Sequence, residues 1–266
     1  MSALDDAELK SDLSKVPAVT LGFWIIKILA TTLGETGGDA VTMSWLGETT
    51  ASAGSQGFNG YVVGTAIFGS MLAVLVWLQI AAKRFHPALY WSTIIASTMA
   101  GTTLADFSTR SLGIGYPGGS LLLFALLLTS LLIWKAKLGS IAVGTVHEPK
   151  AELFYWLSIT FSQTLGTALG DWIADGPLGY LGSAAIFSSL LALVALAYWR
   201  TTINRATLFW AAFILTRPLG AVIGDFIDKP VSQGGLELSR LGASLTLTAA
   251  IVALLLALPK RAAPKE

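Results

Sequence analysis

The chain has 266 residues, 54% hydrophobic and only 12% charged, with mean hydropathy +0.68 and formal net charge +1. Soluble domains carry about 25% charged residues, and the apolar runs here approach the ~20 residues of a membrane span rather than the few of a buried strand, which excludes a soluble α/β core. The near-neutral balance, with no basic stripe, argues against a nucleic-acid partner, and a chain without cysteine has no disulfides and no thiolate metal sites.

Residues 1–16 are acidic and lack an apolar stretch before a small-residue cleavage site, so they read as a cytoplasmic tail rather than a signal peptide. Eight candidate spans follow, over 17–37, 61–82, 87–105, 118–134, 151–170, 180–198, 206–224 and 241–258. A Gly-, Ser- and Thr-rich loop, 41–59, separates the first two, and a polar linker, 138–150, divides the chain. The spans pair into repeats at 17–82, 83–137, 151–200 and 201–259, and 260–266 is a second polar tail. Twelve basic residues fall on the side of the termini and three (Arg110, Lys229, Arg240) on the other, while Lys27 and Arg217 lie within spans. The positive-inside bias therefore predicts cytoplasmic termini. Trp45 and Trp134 have the positions of interface anchors.

A frame Trp-x9-Gly-x4-Asp occurs four times: Trp24, Gly34, Asp39; Trp91, Gly101, Asp106; Trp156, Gly166, Asp171; Trp210, Gly220, Asp225. At helical spacing, Lys27, Thr31, Gly34 and Gly38 share one stripe. Its counterparts are Ile94, Thr98, Gly101 and Ala105; Ile159, Gln163, Gly166 and Gly170; Phe213, Arg217, Gly220 and Gly224. Four Gly-xxx-small stripes predict close helix packing, with odd-numbered helices central and even-numbered ones outside. The expected fold is an all-α integral membrane protein of eight helices built from four tandem direct repeats of helical hairpins. The four tryptophans read as structural filling before ligand stacking.

The aspartates admit two readings. Each ends its helix and bonds backbone N–H groups in a turn, or the four form a ring that concentrates cations at the outer mouth. Glu35 and Lys27 occur only in repeat 1, so the repeat does not need them. Ionisable groups at membrane depth are functional candidates. Glu35 and Asp39 make a hard-cation pair, with Asp106, Asp171 and Asp225 as further ligands and Thr31, Thr98 and Gln163 as supporting oxygens. Lys27 and Arg217 balance this charge, either as structural ion-pair partners of Glu35 or an Asp, or as tethered cations that compete with substrate. Pro218 is expected to disturb its helix and free a carbonyl.

On the segment KVPAVTLGFWIIKILATTLGETGGD and the repeated Trp, Gly and Asp frame, the chain resembles a bacterial membrane-protein family of four tandem two-span repeats of unknown function. The resemblance implies the architecture and no activity. The function expected from the residues is a secondary transporter or exporter of a small cation, a divalent metal such as Mn²⁺ being one candidate. The rivals are a non-catalytic membrane scaffold or accessory subunit and an organic-solute or anion carrier using Lys27 and Arg217. No enzyme and no cofactor is expected: His86 and His147 lie away from the acids, and no zincin, nucleophile-elbow or Walker motif is present. The partners expected are the lipid bilayer and the cation, and the sequence leaves the oligomeric state open.

Overall fold

The computed structural model describes residues 13–48, 60–112, 114–259 and 261–264. Most of the expected N-terminal tail, the loop from 49 to 59, and residues 260, 265 and 266 of the C-terminal tail lie outside the described residues. The described chain forms eight α-helices: α1 Leu21–Asp39, α2 Gly60–Ala81, α3 Pro87–Asp106, α4 Gly115–Leu138, α5 Pro149–Ala174, α6 Gly179–Arg200, α7 Arg205–Asp228 and α8 Arg240–Ala257. Their starts carry local signals. Thr20 and Asn204 side chains cap α1 and α7 by accepting backbone N–H bonds, Ser239 does so for α8, and Pro occupies the first turn of α3 and α5.

The odd-numbered helices form a closed ring, α1 against α3, α3 against α5, α5 against α7 and α7 against α1. The glycine stripes make that approach possible. A Cβ on Gly34 would stand 2.3 Å from Cβ of Thr98, on Gly101 2.9 Å from Cβ of Gln163, on Gly166 2.5 Å from Cβ of Arg217, and on Gly220 2.6 Å from Cβ of Thr31. Thus the glycine of each repeat receives the polar residue one turn earlier on the next repeat, and repeat 4 closes onto repeat 1. Threonines stitch the same seams: Thr98 Oγ1 donates to Ala30 O at 3.2 Å and Thr31 Oγ1 to Thr216 O at 3.2 Å.

The even-numbered helices lie outside, displaced by one repeat: α2 packs on α3, α4 on α5, α6 on α7, and α8 returns to α1. Five helices, α2, α4, α6, α7 and α8, are long and apolar enough to cross a membrane. The polarity is inverted relative to a soluble bundle. Lys27, Thr31, Gln163 and Arg217 are fully buried, whereas Leu121 and Leu256 on outer helices are 71% and 73% exposed. The helices α1, α3, α5 and α7 carry the polar stripe and turn it inward.

Three features differ from expectation. A two-stranded antiparallel ribbon, β1 (Leu13–Pro17) with β2 (Ala262–Pro264), adds a small β element to the all-helical plan and ties the chain ends together. Lys15 in β1 pairs with Glu152 on α5 at 2.7 Å and donates to the carbonyls of Gln79 and Ile80 at the end of α2. Trp134 is not an interface anchor: it is fully buried, edge-on to Tyr155 and Trp210, while Trp45 stays 72% exposed. Finally, α7 runs without interruption through Pro218, whose ring packs against Gly166 of α5.

Candidate functional site

The four odd helices bury equivalent positions against one another around the ring. The near end, where these helices start, is filled by aromatics. Each helix opens with an aromatic pair, Phe23–Trp24, Tyr90–Trp91, Tyr155–Trp156 and Phe209–Trp210. Tyr90 and Tyr155 share a hydroxyl–hydroxyl hydrogen bond of 2.6 Å. The aromatic before each tryptophan is a repeat feature that the Trp frame alone did not bring out. The tryptophans do act as filling, with Trp91, Trp156 and Trp210 buried and Trp24 partly so.

The next layer holds Lys27 with Ile94, Ile159 and Phe213. Its ammonium donates to Gln163 Oε1 at 3.3 Å and lies 4.1 Å above the Phe213 ring. No carboxylate pairs with it among the described residues, so the expected ion pair of repeat 1 forms elsewhere. It is Arg217 that takes Glu35, at 3.1 Å from Nη2 to Oε2. The same guanidinium donates to Thr102 Oγ1 at 2.6 Å, to Thr31 O at 3.3 Å and to Thr98 O at 3.4 Å. Arg217 is thereby bonded to α1 and α3 from α7, crossing the ring interior.

The aspartates do not act as turn caps. Helix α5 continues past Asp171 and α7 past Asp225, while α1 and α3 run on from Asp39 and Asp106 into π-helical turns, Ala40–Trp45 and Phe107–Ser111. The helix ladder occupies the nearby N–H groups, and the carboxylates turn to cations instead. Arg110 binds Asp106 at 2.9 Å and Asp171 at 3.2 Å. Lys229 binds Asp39 and, at 3.1 Å, Asp225. Each cation holds the acid four residues before it and the equivalent acid of the following repeat, giving two clasps, α3 to α5 and α7 to α1. Both cations were visible in the sequence as Asp-xxx-Arg and Asp-xxx-Lys, a spacing that faces side chains across one helical turn. Burial works to lower the pKa of Arg110, but Asp106 and Asp171 outweigh it and hold the group well above its usual value. Burial opposed by Asp225 and Asp39 has the same net outcome for Lys229.

The acids outnumber the cations at this end. Carboxylate oxygens of Glu35, Asp171 and Asp225 lie within 4.8 Å of one another, and so do those of Asp39, Asp225 and Asp228. The two expected ligands Glu35 and Asp39 thus fall into different groups that share Asp225. Asp106 belongs to neither group and is held by Arg110. Asp39 Oδ1, Asp106 Oδ2 and Asp171 Oδ1 are buried without a hydrogen-bond partner. Such an oxygen is costly to leave unmatched. Thr31 and Thr98 spend their hydroxyls on helix seams, and Gln163 serves Lys27. Asp228 was not among the expected ligands; it sits three residues past Asp225, on the same face of α7.

A family model described as Repeat of Unknown Function (DUF347) matches residues 22–85, 89–138, 154–204 and 208–261. No curated protein and no solved structure matches the chain significantly.

Proposed function

The chain belongs to this DUF347 repeat family, whose description assigns no activity, and from its ring geometry we propose a secondary transporter or exporter of a small cation in the bacterial inner membrane. All eight helices span the bilayer in this reading, with both termini cytoplasmic. The apolar outer helices and the excess of basic residues on the terminal side support that orientation. A divalent metal such as Mn²⁺ is the preferred cargo, because hard divalent ions take carboxylate, hydroxyl and carbonyl oxygens.

The observation that carries the proposal is the convergence of Glu35, Asp171 and Asp225 within 4.8 Å, with Asp171 Oδ1 buried and unmatched. Arg217, Arg110 and Lys229 each hold one of the three carboxylates, and a cation there supplies the partner that Asp171 Oδ1 lacks among the described residues. Glu35 is shared with Arg217, so loading moves the guanidinium off Glu35, and Thr102 is the hydroxyl nearest that exchange. Asp39 and Asp106 flank the station. The test is Mn²⁺ flux into liposomes reconstituted with purified protein, wild type against Asp171→Asn and Glu35→Gln. Removing one ligand should weaken uptake by roughly tenfold or more. Flux unchanged in both variants, with the proteins folded, would sink the proposal.

A scaffold is the second reading, favoured by the two clasps that join neighbouring repeats. It expects no flux in the wild type and a purely structural loss on breaking a clasp. An anion carrier has less support, since the Arg217 guanidinium is taken up by Glu35 and Lys27 lies against Gln163 and Phe213.

A further inference from the structure

The two clasps at the acidic end look equivalent by the repeat, yet their chemistry differs. Arg110 sets its planar guanidinium against two carboxylates and donates to the hydroxyls of Tyr61 and Tyr116, both at 3.3 Å. Tyr116 is itself fixed on Asp175 at 2.6 Å. A five-donor fork with four oxygen partners is a rigid joint. Among the described residues, Lys229 has two carboxylates and, for its third contact, the thioether of Met43 at 3.6 Å, a weak acceptor. Its ammonium is a compact point charge on a flexible stem.

The acids differ too. Position 228 in repeat 4 is Asp, where repeat 2 has Thr109. Among the described residues the Lys229 side therefore gathers a second carboxylate from its own helix, and the oxygens of Asp39, Asp225 and Asp228 come within 4.8 Å. Oxygens on opposite sides of a divalent ion bound at 2.0–2.6 Å stand about 4–5 Å apart. Asp39 Oδ1, on a residue with no exposed surface, has no hydrogen-bond partner.

We propose that Asp39, Asp225 and Asp228 form a second, outer station for a divalent cation, which the Lys229 ammonium fills as a tethered surrogate and yields to the ion. Asp225 belongs to both stations, so an ion leaving one remains bound by a carboxylate of the other. Arg240, which pairs with Asp228 at 3.3 Å from the partly exposed rim, draws back one ligand while the lysine is in place. The inference extends the proposed transport by a gated outer step, but its binding claim stands on the outer residues alone.

The chain lacks cysteine, so Lys229→Cys gives one addressable thiol. Mn²⁺ bound at equilibrium to the purified protein is counted from the free-ion paramagnetic resonance signal. Lys229→Cys should bind one more Mn²⁺ than wild type. Treating the thiol with 2-aminoethyl methanethiosulfonate forms a mixed disulfide, releases methanesulfinate and restores an ammonium; the added ion should leave. The uncharged methyl reagent should leave more of it bound. Adding Asp228→Asn should weaken that extra ion by roughly tenfold or more and leave the inner one in place. Should Lys229→Cys not fold, Lys229→Met serves for the same count. Equal ion counts in a folded Lys229 variant and wild type would overturn the outer station. An extra ion in that variant when wild type binds none would uphold it and defeat the inner station instead.

Discussion

Gly220→Ala tests the ring at its closing seam. A Cβ there would lie 2.1 Å from Thr31 Oγ1, 2.6 Å from Thr31 Cβ and 2.9 Å from Thr32 N. The hydroxyl could rotate away, but the Cβ and the backbone nitrogen cannot. Carbon contacts are comfortable at about 3.5–4.0 Å, so α7 and α1 must part by roughly 1 Å. Overpacking of this kind costs about 1–3 kcal/mol. The same displacement stretches the 3.1 Å contact of Arg217 with Glu35, which crosses this seam. Against it stands the helix-propensity gain of Gly to Ala, up to about 1 kcal/mol. The expected net loss is about 1–3 kcal/mol, because the stretched ion pair offsets the propensity gain. Gly69→Ala on α2 is the control: nothing lies within 4 Å of its new Cβ, and the change should be neutral or stabilising by about 0.5–1 kcal/mol. Reversible unfolding in mixed micelles, followed by tryptophan fluorescence, reads both. Equal stabilities of the two variants would refute the close approach of repeat 4 to repeat 1.

Other perturbations probe each layer. Tyr90→Phe should cost about 1–3 kcal/mol by leaving the buried Tyr155 hydroxyl unmatched. Adding Tyr155→Phe should cost less than the sum, and an additive double variant would argue against the bond. Glu35→Gln leaves the Arg217 charge uncompensated and should destabilise by about 3–5 kcal/mol. Arg217→Met in that background should restore part of the loss, measured by the same unfolding assay. Arg110→Met should lower the melting temperature by releasing Asp106 and Asp171 at once, and Arg110→Lys should restore it only partly, since one ammonium does not satisfy four oxygen partners. For Lys229 the folded pKa lies above the unfolded value. Its contribution is full below an unfolded pKa of about 10.4 and is lost only as pH rises through the folded one. The melting-temperature gap between wild type and Lys229→Met should therefore hold steady from neutral pH up to that point.

The Trp, Gly and Asp frame made the hairpins and the glycine stripes legible, and the helices fall within a few residues of the expected spans. Partner order was not legible. A repeat shows that Gly34, Gly101, Gly166 and Gly220 share a role, but not that each receives the polar residue of the following repeat, with outer helices displaced likewise. Of the two readings of the aspartates, the capping one fails because the chain stays helical beyond them, through π-turns or longer α-helices, so local N–H groups are already spent. Trp134 misled because its place near a span end beside Lys135 suits an anchor, whereas its face of α4 turns onto Trp210. The strands β1 and β2 are too short to carry a periodic signal. Arg217 and Glu35 were each singled out, but only the ring brings residues so distant in sequence together.

The most direct measurement is an anomalous difference map from crystals of the protein grown with Mn²⁺, collected at the manganese edge. The account predicts a peak between Glu35, Asp171 and Asp225, with Arg217 moved off Glu35. Peaks confined to the surface, with Arg217 still on Glu35, would contradict it.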